Sequence, residues 1–350
     1  MKKFIYALGV SILLTLSLSA CSKISKSKAY EKNFITMDTP MKLTAYGPNA
    51  QKAVDESIQK LYELNDMASS TISNSDVSKI NNAAGKSYVK VHPEIIKMLV
   101  ASQKYSKLSN GAWDITVGPL INLWGIGTDK AKVPSETEIK SKLPLVGYEK
   151  IIIDEKNNSV MLKESGMSID LGGIAKGFAA DEVLKIYKKY NIKDGLINLG
   201  SSSIYAVGKN ENSHPWSIGI KNPRNESAGN YLGIIKASDE ALSTSGDYER
   251  YFIKDGKRYH HILNPSTGYP VDNGIMSVTV MVSGDVADNS MLADIMSLTV
   301  FELGTEKGIK LIDSMPNLAC EITTTDYKIY KSSRFKDRIS NLSNDFTFVN

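Results

Sequence analysis

The stretch Asp170-Leu-Gly-Gly-Ile-Ala-Lys-Gly-Phe-Ala-Ala-Asp181 constrains this chain more than any other. The residues before it end in Ser168-Ile169-Asp170 and read as a strand that stops at Asp170. Gly172 and Gly173 allow a tight turn and let the backbone approach a ligand with no Cβ in the way. From Ile174 onward Phe178, Val183, Leu184 and Tyr187 recur at roughly helical spacing, so the glycines open a helix. Free N–H groups and the positive end of a helix dipole converge at such a point and suit an anion. Lys176 in the first turn adds a cation. The spacing matches neither a Walker A loop nor a Gly-x-Gly-x-x-Gly dinucleotide loop. Taken alone, it is also the pattern of an ordinary strand-to-helix connection.

The 350 residues leave room for one large domain or two lobes with a real core. A net charge of +4, part of it near the N-terminus, makes no case for nucleic acid as a partner. Residues 1–20 read as a signal peptide: Lys2 and Lys3, an apolar run from Phe4 to Leu18, then small residues. Leu18-Ser19-Ala20-Cys21 resembles a bacterial lipobox, in which lipid is added to the Cys21 thiol and cleavage leaves that cysteine first. An ordinary signal peptide with a chance cysteine, or an uncleaved anchor, is the alternative. The lipobox predicts a protein held at the extracytoplasmic face of the cell membrane, with residues 21–32 as a polar tether and 33–350 as the folded domain. Cys320, flanked by Leu318 and Ala319, reads as buried and inert.

Phe34 to Gly47 reads as one strand and Ala50 to Asp66 as a helix broken at Ser69-Ser70-Thr71. Pro93 opens a helix closed by Asn110-Gly111, and Ser135 to Lys142 carries an N-cap signature. Glu149 to Asp170 holds three short strand-like runs. Gly195 to Gly208 reads as a strand interrupted by Ser201-Ser202-Ser203. Trp216 to Ile220, Tyr231 to Ala237, Tyr248 to Leu263 and Met276 to Ser283 are strand-rich, and Ser243-Thr244-Ser245-Gly246 looks like a hydroxyl-rich turn. Helices are expected at Val286 to Phe301 and Thr305 to Met315, with a final hairpin over Leu318 to Lys331. Grouped, antiparallel-looking strands mixed with helices predict an α+β fold.

Candidate chemistry is sparse. Of the 4 histidines, His92 and His214 precede prolines and read as structural or loop residues. His260 and His261 are adjacent, so on a strand at most one faces a given site. Asp294 sits in an apolar helix. It is either on a solvated stripe or aimed at a cation, with Ser297 and Leu298 on its face. An oxygen-only site of that kind suits Mg²⁺. Asp114 and Asp170 lie beside turn glycines and are open to the same two readings.

Taken together these stretches resemble the ApbE family of FAD:protein FMN transferases, from about Phe34 to the C-terminus. The resemblance rests on Ile35-Thr-Met-Asp-Thr, Gly111-Ala-Trp-Asp-Ile-Thr-Val-Gly-Pro-Leu and Ile169-Asp-Leu-Gly-Gly-Ile-Ala-Lys-Gly. Leu242-Ser-Thr-Ser-Gly, His261-Ile-Leu-Asn-Pro-Ser-Thr-Gly-Tyr-Pro and Ala293-Asp294 follow in the family's order. It implies mixed, largely antiparallel sheets with packed helices, forming two lobes around a flavin cleft. The implied activity is transfer of FMN from FAD to a threonine or serine hydroxyl of an extracytoplasmic acceptor protein, releasing AMP. The implied flavin-binding positions are Met37, Ala112, Trp113, Asp114, Asp170, Lys176 and Leu263. The implied Mg²⁺ positions are Gly173 through its carbonyl, Asp294, Ser297 and Leu298. His261 is the implied catalytic group, a general base or orienting residue for the acceptor hydroxyl.

The chain departs from the family pattern in three places. Ile72 follows Ser70-Thr71 where an aromatic is frequent, Leu199-Gly200-Ser201-Ser202 replaces Leu-Gly-Gly-Asn, and Leu298 replaces a frequent metal-ligand threonine. Two further readings therefore stand beside transfer. One is an Mg²⁺-dependent FAD pyrophosphatase with water as acceptor, and the other a non-catalytic flavin-binding lipoprotein.

Overall fold

The computed structural model describes residues 28–349 except 226, 228 and 285, so the signal sequence and Cys21 lie outside the described residues. The described chain opens on a hairpin, β1 (Tyr30–Thr36) and β2 (Thr39–Ala45), followed by helices α1 (Ala50–Ala68) and α2 (Asp76–Asn82). A small sheet of β3 (Val89–Lys90), β4 (Ile151–Asp154) and β5 (Ser159–Leu162) encloses α3 (Pro93–Leu108), α4 (Gly118–Trp124) and α5 (Glu136–Lys142) in sequence. Helix α6 (Ala175–Lys189) leads to β6 (Gly195–Leu199), β7 (Ser203–Val207), β8 (Trp216–Lys221), β9 (Tyr231–Ala237) and β10 (Glu240–Gly246). The hairpin of β11 (Tyr251–Lys254) and β12 (Lys257–His260) precedes β13 (Ile275–Ser283), α7 (Asn289–Leu303) and α8 (Thr305–Ser314). The chain finishes with β14 (Leu318–Thr324), β15 (Lys328–Lys331), β16 (Ile339–Ser340) and β17 (Thr347–Phe348).

A nine-stranded sheet in the order β1-β2-β6-β7-β10-β13-β14-β15-β17 organises the molecule. Its neighbours are antiparallel except for β15 and β17. Alternation along the central strands divides two cores. Val278, Val280 and Val282 of β13 pack with α1, α6 and α7 in the main core, which extends to Ile151, Val160 and Leu162 of the small sheet. Leu242, Met281 and Ala319, cross-strand neighbours on the opposite face, pack with Ile218, Leu232 and Ile235 of the layer β16-β9-β8. Both faces of β13 are thus covered, which explains its nearly unbroken burial.

Helices α6 and α7 pack against one another, with α7 buried on the sheet, and cap one another. Asp181 of α6 accepts the N–H groups of Ser290 (3.0 Å) and Met291 (2.9 Å) in the first turn of α7. Asp294 of α7 accepts the N–H of Gly177 in the first turn of α6 at 2.6 Å. Each carboxylate meets a helix end with free donors and positive dipole. The crossing requires Gly177, because a Cβ there would stand 2.3 Å from the Ser290 carbonyl oxygen.

Several expectations need correction. Phe34 to Gly47 is not one strand but part of the β1–β2 hairpin, which turns at Met37 (φ 50) and Asp38 (φ 54), a two-residue loop with both central residues left-handed. Ser168–Asp170 is not a strand and joins no sheet. The Asn81 side chain takes the place of a neighbouring strand, accepting from the Ile169 N–H (2.8 Å) and donating to its carbonyl (3.0 Å). Asn81 belongs to α2, a helix not anticipated from sequence and capped by Ser75, whose hydroxyl oxygen accepts the Ser78 N–H at 2.9 Å. Ser243–Gly246 is not a turn: it is the end of β10, paired with β13 at the centre of the large sheet. The predicted helices around residues 50–66, 93–108, 135–142 and 305–315 are present, the third with a full capping box between Ser135 and Glu138, and the one expected over 286–301 starts at Asn289 and runs to Leu303. Cys320 is buried on β14, and burial pushes its thiol up to about 12, so it is inert. No helix among the described residues is long and apolar enough to cross a membrane.

Candidate active site

The glycine turn before α6 lies where α6, α7 and the β6–β7 connection meet. Gly173 is wedged between two side chains: a Cβ there would fall 2.6 Å from Leu298 Cδ1 and 2.9 Å from Trp113 Cη2. Trp113, buried by that contact, has no hydrogen-bond partner for its indole N–H. A buried donor left unpaired is costly. Asp170 closes an Asx turn on Gly172 N–H (2.8 Å) and accepts the Ser70 hydroxyl (2.9 Å), so it fixes the entrance to the turn.

Asp294 is the buried carboxylate of the site. Beyond Gly177, its Oδ1 accepts the Ser203 hydroxyl at 2.6 Å. Ser297 donates to the Asp294 backbone carbonyl (2.9 Å) and lies within 2.7 Å of the Ser245 hydroxyl and 3.3 Å of that of Ser243. Burial raises the Asp294 pKa, while the nearby Lys176 cation opposes that shift. Lys176 is itself enclosed, and burial together with the Arg250 cation lowers its pKa against the pull of Asp294. Its Nζ donates to the Ser202 hydroxyl. The result is a dry cluster of serine hydroxyls around one carboxylate and one amine. Among the described residues no three His, Cys, Asp or Glu side chains cluster in a way that holds a metal. A cation here therefore relies on Asp294, hydroxyls and carbonyls, together with oxygens of its ligand.

His260 and His261 divide as the strand geometry requires. His260 is buried: its Nε2 donates to the Val271 carbonyl (2.7 Å), its Nδ1 faces the Ile262 N–H (3.3 Å), and its ring stands edge-on to Phe301. It is a satisfied core residue. His261 is half-buried, and the Arg250 carbonyl accepts its backbone N–H (3.0 Å) and faces its Nδ1 (3.2 Å). A carbonyl only accepts, so Nδ1 carries the proton and Nε2 is left as a free base. Enclosure, and next the Arg250 cation, push its pKa down to about 3, which keeps the ring neutral.

The remaining sequence candidates are placed as follows. Asp114 is a cap: Oδ1 accepts the Thr116 N–H (2.8 Å) and hydroxyl (2.6 Å), and Oδ2 accepts the Tyr148 N–H (2.9 Å). These bonds hold the loop carrying Ala112 and Trp113. Leu263 is buried with Leu120, Trp124 and Ile139, so its side chain belongs to a satellite core. Met37 stands in the β1–β2 turn next to Thr39, and Thr39 touches the Gly200 turn so closely that a Cβ on Gly200 would lie 1.9 Å from Thr39 Cγ2. The hairpin thereby reaches the serines of the β6–β7 connection. Leu298 offers no side-chain oxygen and serves as packing for Gly173. His92 is structural, its Nδ1 2.6 Å from Asp76. Sequence reasoning did not single out Ser203 or place Ser243 and Ser245 beside Asp294. Only the strand register brings them there, since β10 and β7 are neighbours.

The profile of the ApbE family matches residues 37–322. A Klebsiella pneumoniae protein named FAD:protein FMN transferase is 32% identical over 326 residues, covering 93% of this chain and 99% of that protein. A Haemophilus influenzae protein of the same name is 30% identical over 96% of this chain and 98% of its own length. Among solved structures, the ApbE protein of Thermotoga maritima superposes with a TM-score of 0.80 at 31% identity, covering 89% of this chain and all (100%) of that one. The flavin transferase ApbE of Vibrio cholerae gives a TM-score of 0.79 at 28% identity with the same coverage, 89% and 100%. With fold, motif order and length in agreement, this chain belongs to the ApbE family.

Proposed function

We propose that this chain is an Mg²⁺-dependent FAD:protein FMN transferase that moves FMN from FAD to a threonine or serine hydroxyl of an extracytoplasmic protein and releases AMP. Relatives across nearly the whole chain carry the name FAD:protein FMN transferase. The observation that carries the reading to this chain's own residues is the pairing of a neutral base, His261, with a buried Lys176–Asp294 cluster at a helix N-terminus.

The cluster fits magnesium in kind: one buried carboxylate among hard oxygen donors, with Ser297 beside it, Gly173 against Leu298 of the same helix, and few enough protein ligands to leave places for phosphate oxygens. Magnesium bound there supplies positive charge to the diphosphate. Lys176, in the first turn of α6, stabilises the negative charge that develops as AMP leaves. Trp113, packed against Gly173, and the Met37 turn orient the flavin. His261 Nε2 removes the proton from the acceptor hydroxyl, and its Nδ1 bond to Arg250 holds the ring in the right tautomer. Transfer of a phosphoryl group depends mainly on such positioning and charge compensation.

The same arrangement supports pyrophosphatase activity as the second reading, because His261 is half-exposed and Leu298 removes a side-chain ligand, so water has access to the base. Release of AMP from FAD, followed by chromatography, tests both. Asp294→Ala should lower it by at least about 10²-fold while FAD binding persists. Unaltered AMP release in that variant would remove Asp294 from the chemistry. Free FMN equal to AMP, with an authentic acceptor unmodified, would favour hydrolysis.

We further propose that lipid on Cys21 anchors the protein at the extracytoplasmic face of the membrane. Cys21→Ala should move the chain from the membrane to the soluble or uncleaved-precursor fraction. Unchanged fractionation, with the precursor still processed, would contradict the anchor.

A further inference from the structure

We propose that Ser202 is a flavinylation site of the chain itself: with FAD bound and no acceptor protein present, its hydroxyl takes the FMN group. The inference rests on the transferase reading above. Ser201, Ser202 and Ser203 form the connection from β6 to β7, where Gly200 (φ 75) and Ser201 (φ 60) impose a tight left-handed turn. The turn is held on both sides. Asn198 Oδ1 accepts the Ser201 N–H at 2.8 Å, and the Ser202 carbonyl accepts the Thr244 N–H at 2.9 Å. Fixed in this way, consecutive serines reach the two ends of the buried cluster: Ser202 accepts from Lys176 Nζ, and Ser203 donates to Asp294.

The serines of the cluster differ in what they do with their own protons. Ser203 gives its proton to Asp294 and Ser297 to the Asp294 carbonyl, while Ser243 and Ser245 bond Ser297. Ser202 accepts from Lys176 and donates to no acceptor in the described protein. It is also half-buried at the rim, whereas Ser203 is buried. An oxygen with a free lone pair and an unspent proton, beside the amine that would face the diphosphate, has the properties of an acceptor hydroxyl.

The step balances without a further reagent. Ser202 Oγ attacks the phosphorus on the riboflavin side of the FAD diphosphate. The Oγ–P bond forms, the bond from that phosphorus to the bridging oxygen breaks, and its electron pair leaves with AMP. The hydroxyl proton is taken up by a phosphate oxygen of the departing AMP, and Lys176, whose Nζ donates to Ser202, offsets the negative charge of the diphosphate. The product is the same FMN phosphoester that an external serine would carry, so Ser202 competes in cis with the acceptor protein.

The test incubates the purified full chain with FAD and Mg²⁺ without acceptor, then measures intact mass after denaturation and maps flavin on proteolytic peptides. The expected result is one FMN moiety per modified chain, AMP in equal amount, and flavin at Ser202. Ser202→Ala should lose the adduct and Ser202→Thr, which retains a hydroxyl, should keep it. Flavin mapped to another residue of the wild-type chain overturns the assignment, and so does an unmodified chain that still flavinylates an added threonine peptide. That last result leaves the transferase reading standing. Neither AMP nor flavin on chain or peptide would defeat the transferase reading, and this inference with it.

Discussion

His261 shows how much a single residue's surroundings add to its place in a motif. Its string was legible in the sequence, and adjacency to His260 already implied that only one of the pair faces the site. The Arg250 carbonyl that fixes its tautomer comes from the bend before β11 and was not legible. Because the ring's pKa is pushed down to about 3, protonation should not limit the reaction near 6.5, the ordinary histidine value. We predict that kcat/KM for transfer is flat between about pH 5.5 and 7.5. An acid limb with an apparent pKa of 6–7 that vanishes in His261→Gln would contradict the depressed pKa. His261→Ala should lower kcat by about 10²–10⁴ with FAD affinity nearly unchanged. Equal loss of affinity in a titration of flavin fluorescence would make His261 a binding residue. For Asp114 the sequence showed a carboxylate beside turn glycines, and the structure adds three donors, from its own loop and from Tyr148, that fix its position.

At the scale of elements, the site exists because α6 and α7 cap each other across a glycine contact. The sequence announced α6 through its glycines and its periodicity, and α7 through its apolar run. It did not reveal that Asp181 and Asp294 exchange helix ends, since 113 residues separate them and hydrophobic pattern carries no information about which ends meet. Strand β10 was hidden for another reason. Ser243, Thr244, Ser245 and Gly246 have turn composition, and they form a strand because hydroxyls on one face serve the Asp294 cluster while Thr244 bonds Thr279 across the sheet at 3.0 Å. The α6–α7 contact makes a clear prediction. Gly177→Ala places a methyl group 2.3 Å from the Ser290 oxygen and should destabilise the protein by about 1–3 kcal/mol in urea unfolding, with loss of activity. An unchanged unfolding midpoint would show that the helices are not so closely apposed.

For the whole molecule, the nine-stranded sheet with a layer on each face explains why the motifs, scattered from Met37 to Ser297, converge on the helix-covered side. The α+β class and most element positions followed from grouped strands and capping signals. The division into two cores followed only from strand register. The opposite face carries a buried polar group that the proposed chemistry does not use. Glu321, on β14, accepts the Thr323 hydroxyl at 2.9 Å through Oε2, and its Oε1 has no partner. Burial raises its pKa from 4.5 to about 7. The folded state therefore holds a proton that the unfolded chain releases between those values, and this group's contribution to stability falls as pH rises through the window. Glu321→Gln should stabilise the protein by roughly 3 kcal/mol at pH 8, because each pK unit is worth about 1.4 kcal/mol, and by close to nothing at pH 4. Urea unfolding at the two pH values checks this, and an equal effect at both would exclude titration of Glu321 as the cause.

The most direct test of the account follows the acceptor. A threonine-containing segment of a genuine extracytoplasmic acceptor is incubated with FAD, Mg²⁺ and the wild-type chain, and its intact mass is measured alongside AMP. The account predicts a segment heavier by one FMN moiety with AMP in matching amount, and loss of both in Asp294→Ala and His261→Ala. FAD that stays bound and intact, with segment mass unchanged, would contradict it.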